Sequence, residues 1–441
     1  MNLIEKDNPR IIRAWTFYDW ANSVFPLVIT SAIFPNFYDA VTATKNEAGE
    51  IVSHTVSFFG HDFANQNIYS FVYAFALLIV VLLAPILSGI ADYLGNKKRF
   101  LQFFCYLGAI SCMCLYFFSK NRLELSFVPF VTATVGFWGS LVYYNSYLPE
   151  IASRDNQDKV SARGFALGYF GSSLLLIICL AIIMGIGKEY TRFSFLLVGL
   201  WWIGFAQYTF ANLPKKNHNP HGSDTSLLTR GFTELRQVFS VIKGMASLKR
   251  FLTAYFFYNM GVQTIMVVAV LFARNEIAWP DEKSKTTSLI ISILIIQFVG
   301  IGGSIIFSRL SAVIGNIWSL MIAVLIWIFI CIFTYMIAYQ PVHFYFVAFL
   351  VGFVMGGIQA LSRSTYSKLL PVSEDNASFF SFYDVMEKLG MILGTVTFGI
   401  ISETVGGMRP SILSLIVYFA IGFMLLFTLR KKVTVLQAAA G

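Results

Sequence analysis

Three ionisable residues lie within five positions of one another in SFYDVMEKLG: Asp384, Glu387 and Lys388. At helical spacing Asp384 and Lys388, four apart, meet on one face and can neutralise each other, and Glu387, three from Asp384, joins them. Two acids and one base leave a surplus carboxyl, and a carboxyl without a counter-charge in apolar surroundings tends to hold a proton. This group is read either as a proton-coupling site or as a charge network that holds one conformation.

A second acid stands in TFYDWANSVFPLVIT, where Asp19 is followed by Asn22, Ser23 and Pro26 at helical spacing. The stretch otherwise reads as an apolar helix. If that helix starts near Ala14, Asp19 lies about 8 Å inside it at 1.5 Å per residue. An ionised carboxylate there costs about 3 kcal/mol or more against lipid. Asp19 is therefore expected either to pair with Arg13 or with a base on a neighbouring helix, or to line a vestibule as part of a gate or proton site. Pro26 removes a backbone hydrogen bond and allows bending.

Three further stretches carry amides and rings: FWGSLVYYN with Trp138, Tyr144 and Asn145, AYFFYNMGVQT with Tyr255, Tyr258, Asn259 and Gln263, and GGIQALSR with Gln359 and Arg363. Aromatic faces and amides suit a small zwitterionic or polar solute, offering hydrogen bonds without fixed charge. The expected solute cavity comprises Asp19, Asn22, Trp138, Asn145, Tyr258, Asn259, Gln263 and Gln359, whereas Tyr143 and Tyr255 are expected to pack. Arg363 is placed either against a substrate carboxylate or as a gate partner of Glu150 or Asp92.

Enzyme chemistry finds little support. There is no HExxH, no paired catalytic aspartates and no Ser/His arrangement, and His343 stands alone. No G-x-x-x-x-G-K-[ST] loop is present to hold a nucleotide. His218 and His221 in NHNPHG lack the further ligands a metal needs. Cys105, Cys112, Cys114, Cys179 and Cys331 all fall in apolar runs without metal or disulfide spacing. No catalytic residue, metal or cofactor is expected.

The elements that position these residues follow from composition. Hydrophobic residues make up 57% of the 441 and charged residues 12%, about half the charge of a soluble domain. Apolar runs of about 20 residues span a bilayer as helices. Twelve are read: 14–38, 67–91, 99–118, 126–148, 161–185, 193–213, 250–273, 287–308, 317–338, 342–362, 377–401 and 411–429. The N-terminus lacks the pattern of a cleaved signal, so the first run is expected to stay as a membrane helix. Most of the 32 Lys and Arg fall on the side of the N-terminus, which predicts both termini in the cytoplasm. That bias also explains the net charge of +9 without a nucleic-acid partner.

Residues 214–249 separate two groups of six spans, 1–213 and 250–441. The first part of this linker is polar, with Pro214, Pro220 and Gly222. In the second part Leu228, Phe232, Leu235, Phe239 and Ile242 recur at steps of four and three, with Arg230, Glu234, Arg236 and Lys243 between them. This predicts an amphipathic helix on the inner membrane surface. The halves repeat weakly: span four ends YNSYLPEIASRDN and span ten YSKLLPVSEDN, so that Asp155-Asn156 answers Asp375-Asn376. Two parallel six-helix repeats are a transporter plan.

After span two comes GIADYLGNKKRF, residues 89–100. Gly89 permits close helix approach, Gly95 a tight turn, and Asp92 can hold a basic residue or a helix N-terminus of the other half. The corresponding SRLSAVIGN keeps Arg309, Gly315 and Asn316 but lacks the acid, so a one-sided lock is expected. The glycines of span five (Gly164, Gly168) and span eight (Gly300, Gly303) are expected to form smooth sliding faces.

The 89–100 loop resembles the loop signature of the major facilitator superfamily. FYDWANSVF, GGIQALSRSTYSKLLP and FFSFYDVMEKLG look like its vacuole-effluxer branch, which includes the fungal autophagy-related permease and bacterial relatives. The likeness runs from span one to span twelve. It implies an all-α membrane protein of twelve helices in two six-helix bundles around a central cavity, in a bacterial inner membrane and working as a monomer. The function expected is secondary active transport of a small polar solute by alternating access, the solute being an amino acid in the fungal case, with proton coupling. The alternatives are a sensor that keeps the fold without transport and, behind it, a membrane enzyme.

Overall fold

The computed structural model describes residues 5–45, 51–214, 227–373 and 376–438. His218, His221, Pro220, Gly222 and Asp375 lie outside these residues, as do the side chains of Leu228 and Arg230.

Twelve helices are long and apolar enough to cross a membrane: Pro9–Thr42, Asn65–Tyr93, Lys97–Phe117, Lys120–Ile151, Gln157–Gly185, Lys188–Asn212, Ala246–Glu276, Glu282–Ile314, Asn316–Met336, Pro341–Leu369, Asn376–Val405 and Met408–Leu429. They correspond one to one with the expected spans and are called spans one to twelve. Most run a turn or more past the expected ends, because amphipathic residues continue a helix where the hydropathy signal has already faded. The end that carries the linker is called the linker side and the other the far side. Nearly everything described is helical; the exceptions are two small far-side hairpins, Thr44–Lys45 with Ile51–Ser53 and Thr55–Phe58 with His61–Ala64.

Span one is not one regular helix. It runs as α-helix over Pro9–Asn22, as π-helix over Phe25–Ile33 and as α-helix again over Phe34–Thr42. Pro26 has no backbone N–H to give, and the hydroxyls of Thr30 and Ser31 both donate to the Pro26 carbonyl (2.7 and 2.8 Å). The disturbance expected at Pro26 thus spreads over the widened turns that follow.

Buried side chains form two clusters. One draws almost entirely on Trp15 to Leu213, with Ala377 from span eleven. The other draws on Val238 to Leu429, with Tyr169 from span five. The second cluster includes Val238 and Ile242 of the linker helix Leu227–Gly244. The halves meet where span five packs on spans eight and ten and where span eleven packs on spans two and four.

The linker helix is seated differently from the amphipathic pattern read in the sequence. Gly231, Val238 and Ile242 face inward, whereas Phe232 and Phe239 are 58% and 48% exposed. A Cβ on Gly89 would lie 2.6 Å from the Gly231 carbonyl oxygen, and one on Gly231 2.9 Å from that of Ile86. The two backbones touch, and side chains at these positions would hold them apart. Only Met245 separates this helix from span seven, so a segment covalently tied to the second half grips span two of the first.

Spans five and eight pack on each other, with Gly300 of span eight against the Tyr169 ring of span five, but their glycines do not all face that contact. Gly164 and Gly168 face Asp19, Arg363 and Ser23, and Gly303 faces the Phe353 backbone of span ten. Close approach serves pairs within each half, the Gly300–Tyr169 contact between them and the charged contact described below, which spacing along one helix cannot reveal.

Candidate functional site

The first polar cluster is built around Arg363, 3% exposed at the linker-side half of span ten. Its NH1 and NH2 each lie 3.4 Å from Asp19 Oδ2, its Nε donates to Ser161 Oγ and its NH2 to the Ser161 carbonyl (2.9 Å each), and NH1 donates to Asn145 Oδ1 (3.2 Å). The Tyr144 hydroxyl donates to the same Asp19 oxygen (2.7 Å). The guanidinium carbon lies 4.2 Å from the Phe165 ring centroid and 4.9 Å from that of Trp15. Asp19, Tyr144, Asn145, Ser161, Trp15 and Phe165 come from the first half and Arg363 from the second. A buried pair repays its desolvation only when its remaining donors are satisfied, and here they are. Asp19 therefore pairs with Arg363 of the opposite half and not with Arg13.

The second cluster lies at the loop after span two, where Gly95 turns the chain with φ of +61°. Asp92 accepts from the backbone N–H groups of Ala377 (3.2 Å) and Ser378 (2.7 Å), at the N-terminus of span eleven. The carboxylate meets the positive end of that helix. Lys97 lies 3.7 Å from Asp92 and pairs with Glu150, to which Asn376 also donates (2.9 Å). Glu150 and Asp92 thus serve Lys97 and span eleven, and not Arg363.

A third cluster was not foreseen. Asp158, in the first turn of span five, pairs with Lys368 (2.6 Å) and accepts from Ser311 Oγ (2.9 Å) and Asn316 Nδ2 (2.7 Å). This corrects the expectation of a one-sided lock. The loop between spans eight and nine lacks an acid because the first half supplies it. The only signal was Asn316 beside Gly315, which has no evident use until Asp158 is placed against it.

Deeper in the membrane lies the group of Asp384, Glu387 and Lys388. Lys388 is fully buried, donates to Asp384 Oδ1 and lies 3.3 Å from Glu387 Oε2. Gln263 Nε2 donates to Glu387 Oε1 (3.0 Å) and to Asn259 Oδ1 (3.4 Å). All of these belong to the second half. The first half contributes Trp138, whose ring centroid is 3.7 Å from Lys388 Nζ. Asp384 Oδ2 and Asn259 Nδ2 are buried without a hydrogen-bond partner among the described residues, as is Asn22 Nδ2. Gln359 accepts from Tyr169 across the halves (2.7 Å), and Tyr258 shares a hydrogen bond with Ser362 (2.7 Å). Tyr255 stacks on Tyr383 at 4.3 Å and Tyr143 on Phe104 at 5.8 Å. Among the described residues no group of three His, Cys, Asp or Glu could hold a metal.

On the far side Arg274 donates to Asn36 across the halves (3.0 Å), a slighter tie than the three linker-side clusters.

Residues 7–438 match the family described as vacuole effluxer Atg22 like. The MFS-type transporter YxiO of Bacillus subtilis is 31% identical over 94% of this chain and 93% of its own. Autophagy-related protein 22 of Yarrowia lipolytica is 24% identical over 89% of this chain and 81% of its own. Among solved structures, the human organic anion transporter MFSD10 superposes with a TM-score of 0.70 over 96% of this chain and all of its own, at 11% identity. The transporter FucP in its outward conformation gives 0.68 over 96% of this chain and 99% of its own, at 15% identity. The loop at Asp92, the twelve spans and these likenesses agree: the chain belongs to the Atg22-like vacuole effluxer family and is a transporter of the major facilitator superfamily.

Proposed function

We propose that the chain is a secondary active carrier that moves a small polar solute, amino acids being the first candidates, by alternating access, with Glu387 as the proton-coupling carboxyl. In this reading residues 1–213 and 250–441 are the two bodies that rock, a single chain suffices, and 214–249 joins them. The linker side is the cytoplasm of a bacterial inner membrane, on the strength of the Lys and Arg bias. The three clusters then form the cytoplasmic gate.

The observation that carries this reading is the contrast between the matched charges of the linker-side clusters and two unpartnered polar atoms beside the mid-span charges. At the gate, buried charge is matched: Asp19 meets Arg363 and Asp158 meets Lys368 across the halves, while Asp92 and Glu150 meet Lys97 within the first half and N–H donors at the start of span eleven. At mid-span, a carboxylate oxygen of Asp384 and an amide nitrogen of Asn259 are buried without partners. Such groups cost about 1–3 kcal/mol each when left unmade, and a polar solute removes that cost by supplying an acceptor to Asn259 and a donor to Asp384. Glu387 is the most open of the three ionisable groups, with 17% of its side chain exposed against 4% for Asp384 and none for Lys388. A proton reaches it with the least rearrangement.

The test is uptake by purified protein in proteoliposomes, with a panel of amino acids and other small polar solutes under imposed proton gradients. A gradient-dependent solute supports the reading; no flux or exchange with any of them under any gradient removes it. For the proton role, Glu387→Gln should abolish accumulation against a gradient and leave exchange within about threefold, because an amide keeps the side chain's shape and one acceptor oxygen but cannot take up and release the proton. Unchanged accumulation in that variant takes Glu387 out of the mechanism.

A further inference from the structure

The linker-side ends of spans three and six enclose a cavity of about 310 Å³ lined by Asn96, Lys98, Arg99, Gln102, Phe210 and Ala211. It lies apart from the three clusters and from the mid-span group. Its polar lining is two cations and two amides, with no carboxylate. Lys98 is 7% exposed, and its ammonium is fixed at the cavity wall by a hydrogen bond to the Leu213 carbonyl (2.7 Å). Arg99 is exposed. Arg10 adds a third cation beside this rim, its Nε held by Asn212 Oδ1 (2.7 Å), one residue after the lining Ala211.

The cavity has a floor and an apolar exit. One turn deeper on each helix, Tyr106 donates to Gln207 (3.1 Å) and meets Phe210 edge-on at 5.8 Å, closing the gap between the spans. Four and eleven residues on from Arg99, Phe103 and Ile110 stand 59% and 51% exposed, and Leu200 of span six is 60% exposed. A cationic recess where two membrane helices end thus continues into an apolar ridge that follows the bilayer depth.

We propose that this recess is a binding site for the headgroup of an anionic glycerophospholipid, whose acyl chains run along Phe103 and Ile110. Basic pockets between spanning helices bind such headgroups. A phosphodiester accepts hydrogen bonds from Lys98, Arg99 and the two amides. A zwitterionic headgroup brings an ammonium as well, and the lining holds no carboxylate to receive it. The site also has a neighbour that matters: Lys97, the residue before Lys98, belongs to the cluster with Asp92 and Glu150.

The experiment is a thermal melt of the full-length purified protein in detergent, titrated with short-chain phosphatidylglycerol, with short-chain phosphatidylcholine and with inorganic phosphate. Phosphatidylglycerol is expected to raise the melting temperature in a saturable way. Arg99→Gln should weaken that effect about fivefold, since one cation near an anionic lipid is worth about 1 kcal/mol, and Arg99→Lys should restore it. Arg99 is exposed, so the Gln variant tests charge more than folding. Because Lys98 also holds Leu213, its variant is Lys98→Arg, expected to keep the effect. Equal shifts with phosphatidylcholine, an equal shift with inorganic phosphate, or a phosphatidylglycerol shift unchanged in Arg99→Gln would each overturn the proposal.

Discussion

Two buried bases, Arg363 and Lys388, look alike at first. Each is almost wholly buried, each has carboxylate partners, and each lies against an aromatic ring of the opposite half. They differ in where their carboxylates come from. Arg363 takes Asp19 from the other half, with Ser161 and Asn145 beside it. Lys388 takes Asp384 and Glu387 from its own helix, one turn and one residue away, and meets the first half through the Trp138 ring. If the halves separate on the linker side as proposed, Arg363 would lose its charge partner, whereas Lys388 would keep both of its own and lose a ring. The first cluster would then weigh one conformation against another. In the proposed cycle the second would travel intact with its half and stay able to bind.

The comparison breaks most sharply at Arg363. Arg363→Ala leaves Asp19 buried and uncompensated, a change that costs about 3–5 kcal/mol in comparable buried pairs. The linker-side closed state should lose that stability, and transport should fall by at least about a hundredfold. Asp19→Asn combined with Arg363→Gln removes both charges and should recover part of the loss, because no unpaired charge stays buried. Accessibility of a cysteine placed at Ser161 to a water-soluble thiol reagent, in a background without the native cysteines, reads the opening directly. If Arg363→Ala leaves that site as protected as before, the cluster does not hold the gate.

The next effect in size concerns the linker helix. Gly231→Leu inserts a side chain where backbone already touches Ile86 and Gly89, and overpacking of this kind costs about 1–3 kcal/mol. Because the helix is tied to the second half and seated on the first, the variant should favour linker-side opening while leaving each half folded. Spin labels on the linker-side ends of spans two and eleven should show a longer separation populated. An unchanged distance distribution would reduce the helix to a tether.

At Lys388 the comparison is sharpened instead of broken. Trp138→Leu removes the cation–ring contact that Lys388 makes across the halves, worth about 1–2 kcal/mol for a desolvated cation over a ring, or roughly tenfold in the conformational equilibrium. The solute affinity of the second half's own groups should change less than the rate of interconversion. Measuring equilibrium binding and exchange rate separately decides this. A loss confined to binding would make Trp138 a solute contact and not a strut.

How much of this could be read from the chain depends on the distance over which each feature is encoded. The spans, the linker and the turn at Gly95 are local, and hydropathy with a few glycines reveals them. Asp384, Glu387 and Lys388 are also local, since one helix turn brings them together. The partner of Asp19 lies 344 positions away, and no periodicity reports it. Asp158 gives no signal in the sequence, because a first-turn acid is ordinary helix chemistry; the fold sets Lys368, Ser311 and Asn316 around it. The orientation of the linker helix escaped for a related reason. Phe232 and Phe239 outweigh Gly231 on any hydrophobicity scale, yet the residue without a side chain is the one that sets the closest approach.

The smallest effect provides a control within one half. Asp7, before span one, accepts from the Ser153 N–H (3.0 Å) after span four, and its own N–H donates to the Ile151 carbonyl (2.8 Å). Burial pushes its carboxyl up, but hydrogen bonds from Ser153 and Asn156 and the charge of Lys6 outweigh this and hold it below the usual value of 3.8. A depressed acid stabilises the fold at pH above its unfolded value and loses that contribution as pH falls through the folded value. The melting temperature of Asp7→Asn should therefore lie slightly below that of the parent at neutral pH, and the two should converge as pH drops below about 4. Both partners belong to the first half, so the gate should not notice: cysteine accessibility at Ser161 should match the parent at every pH. A gate that opens in Asp7→Asn would mean that strain inside one half reaches the interface, and the division between contacts that hold a half and contacts that hold a conformation would have to be redrawn.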